Sequence, residues 1–209
     1  MSFIAVIDYQ MGNLLNVSKA LNAAGAEVRI ATTPQEVQRA AGLVLPGVGN
    51  FGEAMIHLKN REFISLIQNW IQDDKPFLGI CLGMQLLLES SEEAPGVDGL
   101  GIFPGTVQRF PSGKEKVPHM GWNTIEFRQN NPFFDGLNGN PAFYFVHSYY
   151  VNASGQPFTA AVSDYILPFT AAVSQGNLIA TQFHPEKSQD AGLQLLRNFV
   201  RKTQSVKEI

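Results

Sequence analysis

The sequence predicts an α/β fold with an open mixed sheet whose N-terminal half consists of parallel strands flanked by helices. In that half, short continuous apolar runs alternate with segments of helical periodicity, as expected for strands that are buried on both faces and connected by helices. After about residue 100, short strands and turns follow one another, which is typical of antiparallel pairing. Glycines and prolines are scattered without a flexible linker, so residues 1–209 are predicted to form a single domain.

Four apolar runs in the first half have the length of buried strands. They cover residues 3–8, 27–30, 42–45 and 77–80. Apolar residues at helical spacing predict three helices, at 14–24, 63–71 and 84–89. Thr33, Pro34 and Glu36 match a capping box with proline at the first helical position, which predicts a further helix start.

The second half is predicted to contain short strands and a closing helix. The strands cover residues 105–110, 124–127, 142–146, 169–173 and 178–182. Residues 189–202 place Leu193, Leu196 and Phe199 at helical spacing and are therefore predicted to form the last helix.

Composition restricts the classes of function. Of 209 residues, 44% are apolar, which is enough for a continuous core. The 15 basic and 18 acidic side chains give a net charge of −3 without a block of either sign, so we expect neither nucleic-acid binding nor a membrane anchor. A single cysteine excludes an internal disulfide, and the first residues lack signal-peptide features, so we expect a cytoplasmic protein. No apolar run approaches the roughly 20 residues of a membrane span.

The single cysteine lies in the sequence Gly-Ile-Cys-Leu-Gly at 79–83, between a predicted strand and a predicted helix. Glycines on both sides permit the strained turn of a nucleophile elbow, which exposes the Cys81 sulfur. The N-terminus of the following helix would favour the nucleophilic thiolate. A buried apolar cysteine is the simpler interpretation, but it does not explain the glycines. Cys81 is therefore predicted to be a nucleophile.

A cysteine nucleophile needs a base, and the chain has four histidines. His184 is the best candidate because it follows an apolar strand and precedes Pro185 and Glu186. Glu186 can accept the N–H of one ring nitrogen while the other nitrogen faces the sulfur. An ordinary surface turn is the alternative interpretation of this sequence. His57, placed between two helices, is expected to be solvated or structural.

The elbow and the His-Pro-Glu sequence together resemble the class I, triad-type glutamine amidotransferases over nearly the whole chain. The loop Pro-Gly-Val-Gly at 46–49 resembles the family's oxyanion-hole loop. One branch of the family, the glutaminase subunits of imidazole glycerol phosphate synthase, is similar at four further sequences, which lie at 8–14, 118–123, 144–149 and 184–188. Gln10 departs from this pattern, since glycine is common there.

The resemblance implies a flavodoxin-like fold and hydrolysis of L-glutamine through a cysteine thioester. Cys81 would attack the amide, His184 would protonate the departing ammonia, and Glu186 would orient His184. The residues implied to bind glutamine or its oxyanion are Val48, Gly49, Leu82, Gln85, Ser148 and Tyr149. From the residues alone, Gln85 could lie on a helix surface, and Ser148 and Tyr149 could be strand packing.

The oxyanion loop and the product both point to a partner. Because a glycine peptide rotates easily, we hypothesise that the hole is misaligned until a partner binds. Ammonia diffuses away unless a docked synthase receives it. The resemblance implies a heterodimer with the cyclase subunit of imidazole glycerol phosphate synthase, and no metal or cofactor. Asn13, Met120, Trp122 and Lys187 are the interface candidates, although Trp122 could equally be core.

Three other functions stay open at this point. The first is a glutaminase subunit of another synthase, such as anthranilate or aminodeoxychorismate synthase. The second is a catalytically silent regulatory binding protein of the same fold, which would not need all three of Cys81, His184 and Glu186. The third is a cysteine peptidase or thiol hydrolase built on the same elbow.

Overall fold

A computed structural model describes residues 3–113 and 115–205 of the chain. Its strands are β1 (Phe3–Ile7), β2 (Val28–Ala31), β3 (Ala40–Gly47), β4 (Phe77–Cys81), β5 (Ser90–Ser91), β6 (Thr106–Arg109), β7 (His119–Thr124), β8 (Glu126–Phe127), β9 (Ala142–His147), β10 (Tyr149–Val151), β11 (Thr159–Asp164), β12 (Pro168–Gln175) and β13 (Leu178–Thr181). Its helices are α1 (Leu14–Ala23), α2 (Phe51–Asn60), α3 (Phe63–Gln72), α4 (Leu82–Gln85) and α5 (Gln189–Ser205). Short 3-10 turns cover Pro34–Val37, Pro132–Phe134 and Pro185–Lys187.

The main sheet is open and mixed, which confirms the predicted fold class. Its strand order is β2-β1-β3-β4-β13-β12-β10-β6-β5, with β11 paired to β12 and β8 paired to β11. The strands from β2 to β13 in this order pair in parallel, whereas β12 pairs antiparallel with β13, β10 and β11. Strands β7 and β9 form a separate antiparallel ribbon. The carboxyl ends of β3, β4 and β13 therefore lie side by side at one edge.

The strand β1 is buried on both faces because helices cover both sides of the sheet. Phe3, Ala5 and Ile7 belong to one apolar cluster, which includes side chains of α2 and α3. Ile4 and Val6 belong to a second cluster, which includes side chains of α1 and α5. This burial explains why the strand appears in the sequence as a continuous apolar run.

The predicted helix at 84–89 is wrong in extent, since α4 ends at Gln85. The leucines that follow leave the helical conformation because their carbonyl oxygens accept hydrogen bonds from another segment of the chain. Leu86 O accepts from Leu100 N at 2.8 Å, and Leu87 O accepts from Ile102 N at 2.9 Å. A helix would require those carbonyl oxygens for its own next turn.

A helix that the sequence did not predict, α2, precedes α3. Asn50 caps it, because its side-chain oxygen accepts from Gly52 N at 2.9 Å and Glu53 N at 3.1 Å. His57 lies within α2, so its placement between helices was wrong. The capping box at Thr33 is present but starts only the 3-10 turn Pro34–Val37.

Four strands, β5, β7, β10 and β11, were also missed, and the predicted strand at 124–127 divides between the end of β7 and β8. Strand β7 carries Gly121, with φ of 142°, and the polar residues His119 and Asn123. These residues hide the alternation on which strand prediction depends. No helix in the described residues is long and apolar enough to cross a membrane.

We predict that Gly83→Ala destabilises the fold. A Cβ at this position would overlap the Leu45 carbonyl oxygen of β3, which is backbone and cannot move aside. Overpacking of this kind costs about 1–3 kcal/mol, and a backbone clash belongs at the upper end. Urea denaturation should therefore show a lower midpoint. The matched control is Gly113→Ala, whose added Cβ would meet no atom of the described residues within 4 Å. An equal midpoint in the two variants would contradict the prediction.

Candidate active site

Cys81 sits at the carboxyl end of β4 in a strained backbone conformation. Its φ of 54° and ψ of −109° are rare for a residue with a side chain. The conformation is tolerated because Gly83 packs directly against Leu45 and Gly79 packs against Ala180. Its side chain is 6% exposed. The predicted elbow is therefore present, although the helix after it has a single turn.

His184 and Glu186 form a buried pair next to this elbow. The Nδ1 atom of His184 lies 2.8 Å from Oε1 of Glu186, and the two side chains are 2% and 1% exposed. The main-chain N–H of His184 donates to Tyr144 O at 2.9 Å, which anchors the residue to β9. The buried Nε2 atom makes no hydrogen bond within the described residues, and the imidazole lies close enough to the Cys81 side chain to interact with it. The structure thus brings together all three predicted catalytic residues.

The charges around His184 favour its protonated form. Burial by itself lowers the pKa of the imidazole, but hydrogen bonds and charge interactions with Cys81 and Glu186 outweigh burial and raise the pKa to about 10. Gln182, which is fully buried, points its Nε2 atom at the Cys81 sulfur from 3.6 Å. An imidazolium and an amide N–H beside the sulfur both stabilise a thiolate. Gln182 is a site residue that the sequence did not identify, although it precedes Phe183 and His184 in the chain.

A cavity of about 330 Å³ opens beside Cys81. It is lined by Val48, Gly49, Cys81, Leu82, Gln85, Glu93, Pro118, Val146, His147, Ser148 and Tyr149. All six residues predicted to bind glutamine or its oxyanion are among them. A volume of this size is at the lower end of small-molecule sites, which suits a single amino acid.

Gln85 is buried and faces inward, so it is not on a helix surface. Its Nε2 atom donates to Tyr149 O at 2.9 Å and to Gln182 Oε1 at 2.9 Å. These bonds hold the cavity wall to α4. Glu93, which was not predicted, supplies a carboxylate to the lining, and its Oε2 also accepts from Phe51 N at 2.7 Å. The sequence feature that could have identified Glu93 is the acidic pair Glu92 and Glu93, which follows shortly after the elbow.

The loop after β3 lies where the oxyanion hole was predicted. Val48 and Gly49 line the cavity, and Gly49 has φ of 105°, a conformation that favours glycine. Gly47 is also required, because an added Cβ would lie 2.6 Å from the Tyr9 hydroxyl and 2.8 Å from Leu82 Cβ. The loop therefore packs tightly against the residue that follows the nucleophile.

The interface candidates lie close to this site. Met120 and Trp122 of β7 are 63% and 49% exposed, so Trp122 is not core. Trp122 packs edge-on against Tyr144, and Lys187 Nζ lies 5.7 Å from the centre of the same ring. Asn13 caps α1, accepting from Asn16 N at 3.2 Å, and α1 packs beside the turn that carries Lys187. We call Met120, Trp122, Tyr144 and Lys187 the ribbon face.

We predict that Glu186→Gln lowers the pKa of the His184 imidazole. Glu186 contributes both a hydrogen bond and a negative charge to the protonated form, so burial weighs more heavily once it is neutral. At pH 8 the wild-type ring should be protonated and the variant ring less so, measured by NMR titration of the imidazole. The control is Glu126→Gln, which removes an exposed carboxylate paired with Arg128; an unchanged midpoint in Glu186→Gln would contradict the assigned pairing.

Comparison with known proteins agrees with this geometry. The family model for class-I glutamine amidotransferases matches residues 5–203. A relative from Synechococcus elongatus, named imidazole glycerol phosphate synthase subunit HisH, is 51% identical over 94% of this chain and 92% of its own length. A relative of the same name from Moorella thermoacetica is 46% identical over 94% of this chain and 93% of its own. A third, from Methanothermobacter thermautotrophicus, is 50% identical over 94% and 97%.

Solved structures share the fold at lower identity. The structure of PurLQS from Thermotoga maritima matches with a TM-score of 0.77 and 17% identity over 96% of this chain and 99% of that chain. A structure described as a glutamine amidotransferase matches with a TM-score of 0.74 and 19% identity over 97% and 100%. The family model and the relatives, taken with the elbow and the buried histidine–glutamate pair, place this chain in the class-I glutamine amidotransferase family.

Proposed function

We propose that this chain is the glutaminase subunit of an imidazole glycerol phosphate synthase. It hydrolyses L-glutamine to glutamate and ammonia and passes the ammonia to a cyclase subunit in histidine biosynthesis. The observation that carries the chemistry is the strained Cys81 beside the His184–Glu186 pair, at the mouth of a cavity of about 330 Å³. The choice of synthase rests on relatives of that name at 46–51% identity over nearly the whole chain.

The reaction begins when the Cys81 sulfur attacks the side-chain amide carbon of glutamine. The carbonyl oxygen becomes an oxyanion, which we assign to the main-chain N–H groups of Leu82 and of the Val48–Gly49 segment. Protonated His184 gives its proton to the amide nitrogen, and the C–N bond breaks to release ammonia and leave a glutamyl thioester. Neutral His184 then takes a proton from water, which attacks the thioester, and glutamate leaves with the sulfur restored.

The cavity also has groups for the two ends of a free amino acid. Glu93 carries the only carboxylate among the lining residues and suits the α-ammonium group of glutamine. Ser148 follows β9 and Tyr149 begins β10, and the hydroxyl groups of these two lining residues suit the α-carboxylate. A peptidase would need an open cleft for a chain on both sides of the sulfur, whereas Cys81 is 6% exposed beside a small cavity. This favours glutamine over a peptide.

Partner docking is proposed at the ribbon face. Exposed aromatic and methionine side chains suit the centre of an interface. Met120 and Trp122 are both exposed and are not part of the core. The position also suits ammonia delivery, since β7 pairs with β9, which lines the cavity at Val146 and His147. A cyclase bound there would contact the ribbon that also forms part of the cavity wall beside Cys81.

We predict that Cys81→Ala abolishes glutamate release, because no other cysteine exists in the chain to form the thioester. The measurement is glutamate released by the chain alone, and then with a cyclase subunit and its nucleotide ligand. The variant should still bind the cyclase, and the complex should still use added ammonium salt. Residual glutaminase activity in the variant would overturn the mechanism. Activation of the wild type by another synthase, but not by the cyclase, would overturn the choice of pathway.

We predict that Trp122→Ala weakens cyclase binding by about thirtyfold or more, since buried aromatic anchors at interfaces contribute 2 kcal/mol or more. Isothermal titration of the two subunits measures the change. The matched control is Ile56→Ala on α2, which removes a side chain that is 55% exposed on another surface. Equal affinities for the two variants would exclude the ribbon face as the docking surface.

A further inference from the structure

Two buried histidines, His119 and His147, have no part in the mechanism above. They face each other across the β7–β9 ribbon as a register pair, with His119 Nδ1 lying 3.0 Å from His147 Nε2. They are 4% and 6% exposed. Two imidazoles in contact without a carboxylate are uncommon in a core, because each ring nitrogen needs a partner of matching polarity.

The partners of the outer atoms determine the direction of every bond. His147 Nδ1 lies 2.9 Å from Tyr149 O, and a carbonyl only accepts, so Nδ1 of His147 carries the hydrogen. The Nε2 atom of a neutral His147 is then an acceptor. His119 must therefore donate from Nδ1, which leaves its own Nε2 as an acceptor.

Asn123 supplies the donor that this assignment requires. Its Nδ2 lies 3.4 Å from His119 Nε2 and also donates to Asp164 O at 2.7 Å. Its Oδ1 accepts from Thr124 N at 2.8 Å, which fixes the orientation of the amide. All four ring nitrogens are satisfied by one direction, from Asn123 through His119 and His147 to the Tyr149 carbonyl. Protonation of His147 would place two hydrogens between its Nε2 and Nδ1 of His119, and protonation of His119 would place its new hydrogen on Nε2, against the Asn123 amide hydrogen.

The environment keeps both rings neutral. Burial lowers the pKa of His119 to about 4. Burial lowers the pKa of His147 to about 3, with smaller contributions from the charges of His119 and His184 and an opposing one from Tyr149 O. The titratable groups that face the rings are Tyr165, stacked on His119 at 4.1 Å, and His184. No carboxylate contributes to these shifts, in contrast to His184.

The end of this chain of bonds is part of the glutamine cavity. Tyr149 O accepts from His147 and also from Gln85, both at 2.9 Å. Gln85 in turn donates to Gln182, whose amide points at the Cys81 sulfur. The beginning of the chain lies on β7, where Asn123 and His119 alternate with the exposed Trp122 and Met120.

We propose that Asn123, His119 and His147 are positioning residues that couple the docking strand β7 to the glutamine-binding wall at Tyr149. The proposal rests on the proposed function, since it assigns a role in that glutaminase. A displacement of β7 on docking shifts the His119 donor, and through His147 it shifts the carbonyl that Gln85 also holds. Hydrogen bonds in such a chain polarise one another, so loss of one weakens the rest.

The test measures glutamine hydrolysis by the complex with the cyclase subunit and its nucleotide ligand. His119→Phe keeps the aromatic stack and removes the donor. Asn123→Asp, at a partly exposed position, replaces a donor by an acceptor and selects the wrong tautomer of His119. Both should raise KM for glutamine about five- to tenfold, the value of one hydrogen bond, with kcat within twofold. A merely structural defect would lower kcat through loss of folded enzyme and leave KM unchanged.

Two comparisons sharpen the test. His119→Asn places an amide N–H near the position of Nδ1 and should restore KM to within twofold of wild type. Asn152→Asp makes the same charge change at an exposed position whose amide, among the described residues, bonds only to Gln108, and it should have no effect. Unchanged KM in His119→Phe and Asn123→Asp, or no rescue by asparagine at 119, would overturn the coupling while leaving the glutaminase intact. An inactive wild-type complex would overturn the proposed function and the coupling together.

NMR of the imidazole nitrogens provides a readout that does not depend on activity. We expect His119 and His147 both as neutral Nδ1–H tautomers at pH 7. An Nε2–H tautomer in either ring would overturn the assigned direction of the relay.

Discussion

The site depends on one close contact, between the turn after β4 and the backbone of β3. Gly83 packs against the Leu45 carbonyl, and this contact leaves no room for a side chain. It holds Cys81 at a positive φ, which costs roughly 1–3 kcal/mol that neighbouring packing must offset. Because β4 is paired in parallel on both sides, with β3 and β13, the strained residue is fixed by two flanking strands. The sulfur is therefore held beside the residues that follow the carboxyl ends of β3 and β13.

Strand direction decides which residues can reach that sulfur. Parallel strands end at the same edge of a sheet, so the ends of β3, β4 and β13 contribute the Gly47 loop, Cys81 and His184 respectively. The antiparallel ribbon β7–β9 then closes the cavity from the other side. The same ribbon thus supplies part of the cavity wall and the exposed side chains of Met120 and Trp122. A movement of the ribbon at the surface would therefore also move residues beside the sulfur.

Three buried histidines show how surroundings set the charge of one residue type. His184 has Glu186 and Cys81 as partners, and these outweigh the effect of burial on its pKa. Within the described residues, His119 and His147 form hydrogen bonds with each other, an amide and a carbonyl but with no carboxylate, so burial keeps them neutral. The first arrangement suits proton transfer to a leaving group. The second suits a fixed hydrogen-bond direction, because a neutral ring has one donor and one acceptor.

Local pattern was enough to predict the parallel strands β1 to β4 and the Cys81 elbow, since buried strands appear as apolar runs and strained turns require glycine. The family resemblance predicted further cavity residues, such as Ser148 and Tyr149, but not Glu93. The length of α4 and the strand β7 were decided by tertiary structure, because distant segments compete for the carbonyls after Gln85 and pair with His119. The roles of Gln182 and the histidine relay depend on hydrogen bonds between residues far apart in the chain, and these exist only once the sheet has formed.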